Sequence, residues 1–419
     1  MFEWSDEHRM MIDAVRQFID KEIVPYRREL EHGDLPPYEL LRKMFSTFGI
    51  DAAARVSCER RLDAEEAAQT GPSRTGATDG AITDTSGAST PSGGSDPAMS
   101  LIPTIELCRH CPGMVTALGV SVGLTAAAIS AKGTLTQRRR WVPDLASLAT
   151  IGAWAITEPG SGSDAFGSMR STARCDGDEY ILNGSKTFIT NGPYADIIVF
   201  ICKLDDGNPP GERKVLSFVL DKGMAGLEQS KPLRKMGMHS SPTGEIFVDD
   251  VRVGRDRLIG ETEDVEGGGR AGAKTTFAQE RAGVAAMALG IIESCLEVSV
   301  AYAKDRVQFG EPIGNFQLIQ DKLARMEVAR LNVSNLVYRY VEMSIAGRSL
   351  TLAEASAMKL YSARAASEVA MEAVQLFGGN GYMAEFGVEQ LARDAKVLQI
   401  YAGTDEIQIT HIAKDLLRR

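Results

Sequence analysis

The chain has 419 residues, enough for roughly two or three packed units. Its 44% hydrophobic and 24% charged shares are those of a folded globular protein and exclude a disordered chain. A net charge of −10 argues against nucleic acid as a partner but leaves room for a phosphorylated ligand held by local basic residues.

The first fifty residues carry a helical pattern. Met11, Val15, Phe18 and Ile23 fall near one face of a helix spanning Met1 to Leu30. Ser5 is its expected N-cap, with Asp6 and Glu7 in the first turn, and Pro25 ends or bends it. No secretory leader is read here, so a cytoplasmic location is expected. Between Thr70 and Pro97 large apolar residues nearly vanish among Gly, Ser, Thr and Pro. Such a stretch reads as a flexible surface insertion. We take about 51–98 as the inserted region of an N-terminal helical domain spanning 1–150.

Helical pattern resumes from Met99 to Leu148. The apolar run Met114 to Ala131 is interrupted by Thr, Ser and Gly and reads as a buried helix, not a membrane span. Cys108 and Cys111 form a lone CxxC without a second pair, which reads as helical coincidence in a reducing compartment; no metal site is expected. Strand alternation then governs a middle domain, 151–265, most clearly in Lys214–Leu220 and Glu245–Val253. The remainder, 266–419, is helical, with long apolar periodicities over Glu280–Arg306, Gln317–Ala346 and Thr351–Phe377. The class is therefore α+β, mainly α: helices, a small β-barrel-like domain, then a helical bundle.

Two short units hold the densest chemistry. Trp154-Ala-Ile156-Thr157-Glu-Pro-Gly160-Ser-Gly162-Ser163-Asp164 is followed by Tyr180 to Gly192, which contains Phe188 and Thr190. Glycines let backbone approach a ligand where a Cβ would clash. Thr157, Ser163 and Thr190 offer hydroxyl donors, and Phe188 an aromatic face. Either piece alone also reads as a Gly–Ser turn between strands.

With the later segments added, the chain resembles the acyl-CoA dehydrogenase family. Thr157–Asp164 and Ile189–Gly192 look like its two flavin signatures. Arg306-Val-Gln308-Phe309-Gly with Gln317, Gln375–Tyr382 and Tyr401–Gln408 resemble its third, fourth and fifth elements, in the family's order. The resemblance covers nearly the whole chain outside roughly 51–98. It implies a C-terminal four-helix bundle, one FAD per subunit, a homotetramer, an acyl-CoA substrate and an electron-transferring flavoprotein as acceptor. It places Trp154, Ile156, Thr157, Gly162, Ser163, Phe188 and Thr190 around the flavin, with Thr404 and Glu406 in its nucleotide region. Arg306, Gln308, Phe309, Gln317 and Gln375, Leu376, Gly378 and Gly379 would reach the FAD of a neighbouring subunit. Arg306 suits a pyrophosphate because guanidinium binds two oxygens at once. Read alone, it is a surface ion-pair residue.

The implied reaction is α,β-dehydrogenation of an acyl-CoA thioester to the trans-2-enoyl-CoA, with a carboxylate taking the α-proton and flavin N5 accepting the β-hydride. Many members carry that carboxylate directly after the tyrosine of the fifth element, where this chain has Ala402. A subset including the isovaleryl-CoA and long-chain enzymes carries it on a bundle helix, and Glu280 matches that position. Two acids aimed at one carbon would repel, so the paired exchange makes physical sense. Glu280 is the expected base; without Ala402 it would read as a helix-surface Glu beside Arg281. The backbone N–H of Ala402 is expected to polarise the thioester carbonyl whatever its side chain. Arg281 and Ser163 are the expected contacts to the acyl-CoA, with a salt bridge and a turn hydroxyl as their alternatives. Where the family carries an apolar Gly-Pro-rich segment near the substrate entrance, this chain has Ala52–Arg61 and the insertion. Rival readings are an acyl-CoA oxidase, a silent flavin-binding or assembly subunit, and a flavin enzyme acting on a non-CoA acid or nitroalkane.

Overall fold

The computed structural model describes residues 2–33, 35–70, 96–264 and 268–418. Helix α1 (Asp6–Glu22) begins where Ser5 accepts from the His8 N–H and the His8 ring reaches back to the Ser5 N–H, a reciprocal cap. Val15, Phe18 and Ile19 form its buried face. A short turn at Val24–Tyr26 holds Pro25 and leads into α2 (Arg27–His32) and α3 (Tyr38–Thr47).

Residues 51–70 correct the expectation of a flexible insertion, because α4 (Ile50–Thr70) is a regular helix. Its Ala, Glu and Arg content favours helix strongly. It lies along α8 (Leu135–Ala146), where Leu62 is buried and Arg138 pairs with Glu65, Arg139 with Asp63 and Glu66, and Arg55 with Asp144. Pro97 and Ala98 likewise open a helix, α5 (Pro97–Cys108), capped by Asp96. The rest of the expected insertion, 71–95, lies outside the described residues.

Between α5 and α8, residues Pro112–Lys132 form one helical run: α6 (Pro112–Leu118), a π-helical segment Gly119–Ala126, and α7 (Ala127–Lys132). This run and Glu280–Asp305 are long and apolar enough to cross a membrane by length and composition. Both contribute to the interior here: Ala126 and Ile129 pack with Trp141 and Leu145, and the later run is two-thirds buried.

The middle region is one seven-stranded sheet in the order β1-β4-β2-β3-β7-β6, with β5 pairing on β4. The strands are β1 (Gly152–Ala155), β2 (Thr172–Asp176), β3 (Glu179–Thr190), β4 (Ile197–Leu204), β5 (Val215–Asp221), β6 (Leu227–Gln229) and β7 (Thr243–Gly254). β4 is buried along its whole length and holds β1, β2 and β5. Phe200, Phe218, Leu182 and Ile246 fill the space the sheet curls around.

Helix α9 (Gly268–Asp305) is followed by a two-residue hairpin, β8 (Val307–Gln308) and β9 (Glu311–Pro312). Then come α10 (Gln317–Ile345), α11 (Leu352–Phe377), α12 (Val388–Val397) and α13 (Asp405–Leu416). The long helices α9, α10 and α11 pack together, and α12 and α13 close the bundle against α11. Small residues on α9 and α11, among them Ala285, Ala288, Ala366 and Ala370, permit close helix approach. The main core runs from α1, α3 and α5 into this bundle without a break.

Candidate active site

The strand-borne group is shaped by two irregularities. The β3–β7 register shifts between Lys186 and Ile189, so Thr187 and Phe188 leave the ladder. The Thr187 N–H instead donates to the Thr157 carbonyl at 2.9 Å, stitching β3 to the loop after β1. Phe188 stands at φ 57° with 69% of its surface exposed, an aromatic ring that the protein's own core does not use. Trp154, Ile156, Thr157 and Thr190 are half-buried beside it, while Gly162 and Ser163 are exposed. No protein atom lies within 4 Å of where a Cβ on Gly160 or Gly162 would sit. Packing therefore does not demand these glycines.

Beneath this loop lies a buried ion pair that the sequence reading missed. Lys186 is wholly buried; its ammonium donates to Glu158 at 2.8 Å and to the Ile156 carbonyl at 3.2 Å. Glu158 also accepts from the N–H groups of Arg170 (2.6 Å) and Ser171 (2.9 Å), closing the loop that carries Gly160–Asp164. Burial opposes the Glu158 charge, but Lys186 and these donors prevail and hold the carboxyl below its ordinary range. Asn191, also buried, accepts from the Tyr38 hydroxyl and donates to the Ala117 and Gly152 carbonyls, so it ties the strand end to the N-terminal helices.

A second group gathers around α9 and the turn between α12 and α13. Glu280 is half-buried, and burial lifts its carboxyl to about 7 against the opposing pull of Arg281 and Lys359. The turn passes through two left-handed residues, Ala402 (φ 53°) and Gly403 (φ 85°). For alanine this conformation costs about 1 kcal/mol. It is held by carbonyl anchors: Gln408 donates to the Ala402 and Gly403 carbonyls, and Lys359 donates to the Gly403 carbonyl at 2.8 Å. The Ala402 N–H makes no hydrogen bond among the described residues. Thr404 caps α13, and Glu406 lies exposed in that helix's first turn.

Arg281, the expected acyl-CoA contact, lies inside the bundle. It is 2% exposed, donates to Ser356 at 3.0 Å, and lies beside Gly403. Its charge nevertheless acts on Glu280, and both lie near Lys359.

The third group lies at one end of the bundle. Phe309 (φ 56°) and Gly310 (φ 87°) form the tight turn of the β8–β9 hairpin, and Phe309 is 95% exposed. Arg306, Gln308 and Gln317 are exposed, and the Arg306 side chain makes no hydrogen bond or ion pair among the described residues. Tyr302 stacks on Phe377 at 4.1 Å and receives a bond from Asn380, which brings the hairpin next to Gln375, Gly378 and Gly379. The Leu376 side chain packs with Ala303, Ile313 and Val388, so within this loop it has its backbone to offer a ligand. No hydrogen bond or ion pair among the described residues joins this group to the strand-borne one.

Three family models match the chain: acyl-CoA dehydrogenase N-terminal domain over residues 5–56 and 86–149, middle domain over 153–251, and C-terminal domain over 267–417. An acyl-CoA dehydrogenase of Bacillus subtilis (strain 168) is 36% identical over 99% of this chain and 98% of its own length. Mitochondrial isovaleryl-CoA dehydrogenase of Pongo abelii is 35% identical over 72% of this chain and 70% of its own. Among solved structures, butyryl-CoA dehydrogenase from Megasphaera elsdenii superposes with a TM-score of 0.83 at 32% identity, covering all of both chains. Fold, motif order and these likenesses agree: the chain belongs to the acyl-CoA dehydrogenase family, FAD-dependent oxidoreductases of CH–CH bonds.

Proposed function

We propose that Glu280 is the base of an acyl-CoA α,β-dehydrogenation and that the Ala402 N–H polarises the thioester carbonyl. The observation that carries this reading is a half-buried carboxylate close to Tyr401, at the start of a left-handed turn whose Ala402 N–H has no partner among the described residues. Burial that lifts Glu280 to about 7 suits a group that must take a proton near neutral pH. A hydrogen bond to the thioester oxygen stabilises the negative charge that develops as the α-proton moves to Glu280.

The residues present fit FAD. Phe188 and Trp154 provide apolar surface, Thr157, Ser163 and Thr190 provide hydroxyls, and Gly160 and Gly162 leave space beside exposed backbone. When bound, FAD supplies the two-electron oxidation at Cβ. Arg306, Gln308, Phe309, Gln317, Gln375 and the Gly378–Gly379 backbone face outward at the bundle end, as residues serving a neighbouring subunit's FAD would. Exposed Leu318, Val328, Leu331 and Ile345 on α10 support assembly through the bundle into a homotetramer. Thr404 and Glu406 would border the nucleotide portion, and Ser163 the acyl-CoA. We assign the chain to the subset with its base on the bundle helix, acting in the cytoplasm within β-oxidation and passing electrons to an electron-transferring flavoprotein.

The test is anaerobic. Short, branched, medium and long acyl-CoAs are added in turn to purified protein while the flavin band is followed. One class should bleach wild-type protein, and Glu280→Gln should slow that bleaching by about 10²–10⁴-fold while keeping its flavin. Bleaching of Glu280→Gln at the wild-type rate would refute the assignment.

A further inference from the structure

We infer that Lys359 is a positioning residue for the dehydrogenation site: by donating from inside the bundle to the Gly403 carbonyl, it fixes the turn that carries the Ala402 N–H beside Glu280. This rests on the reading of Glu280 as base and Ala402 as donor.

Lys359 lies in the middle of α11 with no exposed surface, among buried Ala355, Ser356, Ser362, Ala363 and Ala366. An ammonium is among the most expensive groups to take out of water, and a methionine would fill the same volume without that penalty. The Gly403 carbonyl is the partner the structure gives it. That carbonyl is two atoms beyond the Ala402 peptide in a turn of two left-handed residues, a conformation that persists only where its surroundings hold it. Gln408 donates to the same carbonyl and to that of Ala402, but its other amide end, Oε1, is buried without a partner. Lys359 on α11 is a second donor to the same carbonyl, so the turn is held from both α13 and α11.

The charges around Lys359 give the contact a second consequence. Facing it are Asp405 and Glu406 from the start of α13, and Arg281 and Glu280 from α9. Facing Glu280 are Arg281, Lys359 and, across the turn, Tyr401. Of the two cations, Arg281 is bonded to Ser356, and Lys359 is bonded to the turn while its charge acts on the base. Removing its charge removes an attraction that favours the ionised form of Glu280, so the base becomes harder to ionise. A purely structural lysine would not move that titration.

The experiment compares purified, flavin-loaded wild type, Lys359→Met, Lys359→Arg and Glu280→Gln by anaerobic flavin reduction from pH 6 to 9, with whichever acyl-CoA bleaches wild type. Lys359→Met is expected to lower the limiting reduction rate by about tenfold or more through loss of the positioned donor. It should also move the rate's pH midpoint upward by about half a unit or more. Lys359→Arg, which keeps charge and donor, should restore the midpoint. If Lys359→Met does not hold flavin, Lys359→Arg against wild type decides. An unchanged midpoint in Lys359→Arg supports the role, because the charge is kept; a midpoint shifted upward in spite of the retained charge overturns it. A Lys359→Met protein with wild-type rate and midpoint overturns the inference while a dead Glu280→Gln leaves the base assignment standing. Wild-type reduction in Glu280→Gln sinks both.

Discussion

A base whose affinity for protons is set by burial must impress that affinity on the rate. Glu280 titrates near 7 in the free protein because burial disfavours its charge more than Arg281 and Lys359 favour it. With a midpoint of about 7, about 9% of the carboxyl is ionised at pH 6 and about 91% at pH 8, so kcat/KM should rise about tenfold across that interval. A carboxyl at its ordinary position would be almost fully ionised at both ends, and the rate would change by only a few per cent. The assay is flavin reduction at limiting acyl-CoA, which reports the free protein. A flat profile from pH 6 to 8, or a tenfold rise that survives in Glu280→Gln, would refute the reasoning. The same lift has a stability consequence of fixed sign. The folded carboxyl binds its proton more tightly than the unfolded one. Its contribution is therefore fully present below the ordinary value of 4.5 and is lost as pH rises through about 7. For a fully buried carboxyl this lift amounts to about 3 kcal/mol. Glu280 is half-buried, so Glu280→Gln should be the more stable protein at pH 8 by about 2 kcal/mol and indistinguishable at pH 4.

Breaking the pair beneath the strand-borne loop should unfold that loop first. Lys186→Met or Glu158→Gln leaves a buried charge alone and is expected to cost about 3–5 kcal/mol in thermal unfolding, with flavin lost on dilution; the double change Glu158→Leu with Lys186→Met should cost less than either single change, and equal costs would argue against the pair. Arg306 offers the opposite signature, since nothing in the described chain depends on its guanidinium. Arg306→Ala should leave the melting temperature of the flavin-free protein unchanged but weaken FAD binding by about 1.5–3 kcal/mol, measured by equilibrium flavin titration, and an unchanged affinity would exclude it from the cofactor site.

What the sequence disclosed depended on how each residue acts. Side chains that bind through type and order, such as Thr157, Ser163, Phe188 and Thr190, sit in motifs that can be read directly. Thr157 and Ser163 lie in the loop after β1, and Phe188 and Thr190 at the end of β3, with Thr187 bonded across to Thr157. Long apolar periodicities gave α10 and α11 almost to the residue, because their buried faces repeat over many turns. Helix α4 was lost for the converse reason. Its attachment to α8 is mostly ionic, with Leu62 as its buried anchor, so no apolar stripe announces it. Propensity alone would have found it: Ala, Arg and Glu dominate Ala52 to Ala68. The burial of Arg281 and its bond to Ser356 could not be read from sequence, because they depend on how α9 packs against α11. Lys359 also left a trace, as the lone charge in the buried register of Ala355, Ser362 and Ala366.

Ala402 shows where such reading must stop. Judged by side chain, the position has lost an acid and the chain looks inactive. Judged by backbone, it keeps the N–H that the proposed reaction needs. The left-handed turn carries an N–H without a partner among the described residues, and the turn is braced from outside by Gln408 and Lys359. A donor fixed in this way tolerates exchange of its own side chain. The base, whose chemistry is its side chain, can therefore migrate to α9 without dismantling the carbonyl site. The two functions sit on separate elements and are joined through buried groups on a third, α11. Changes at Lys359 should therefore alter rate and pH dependence together.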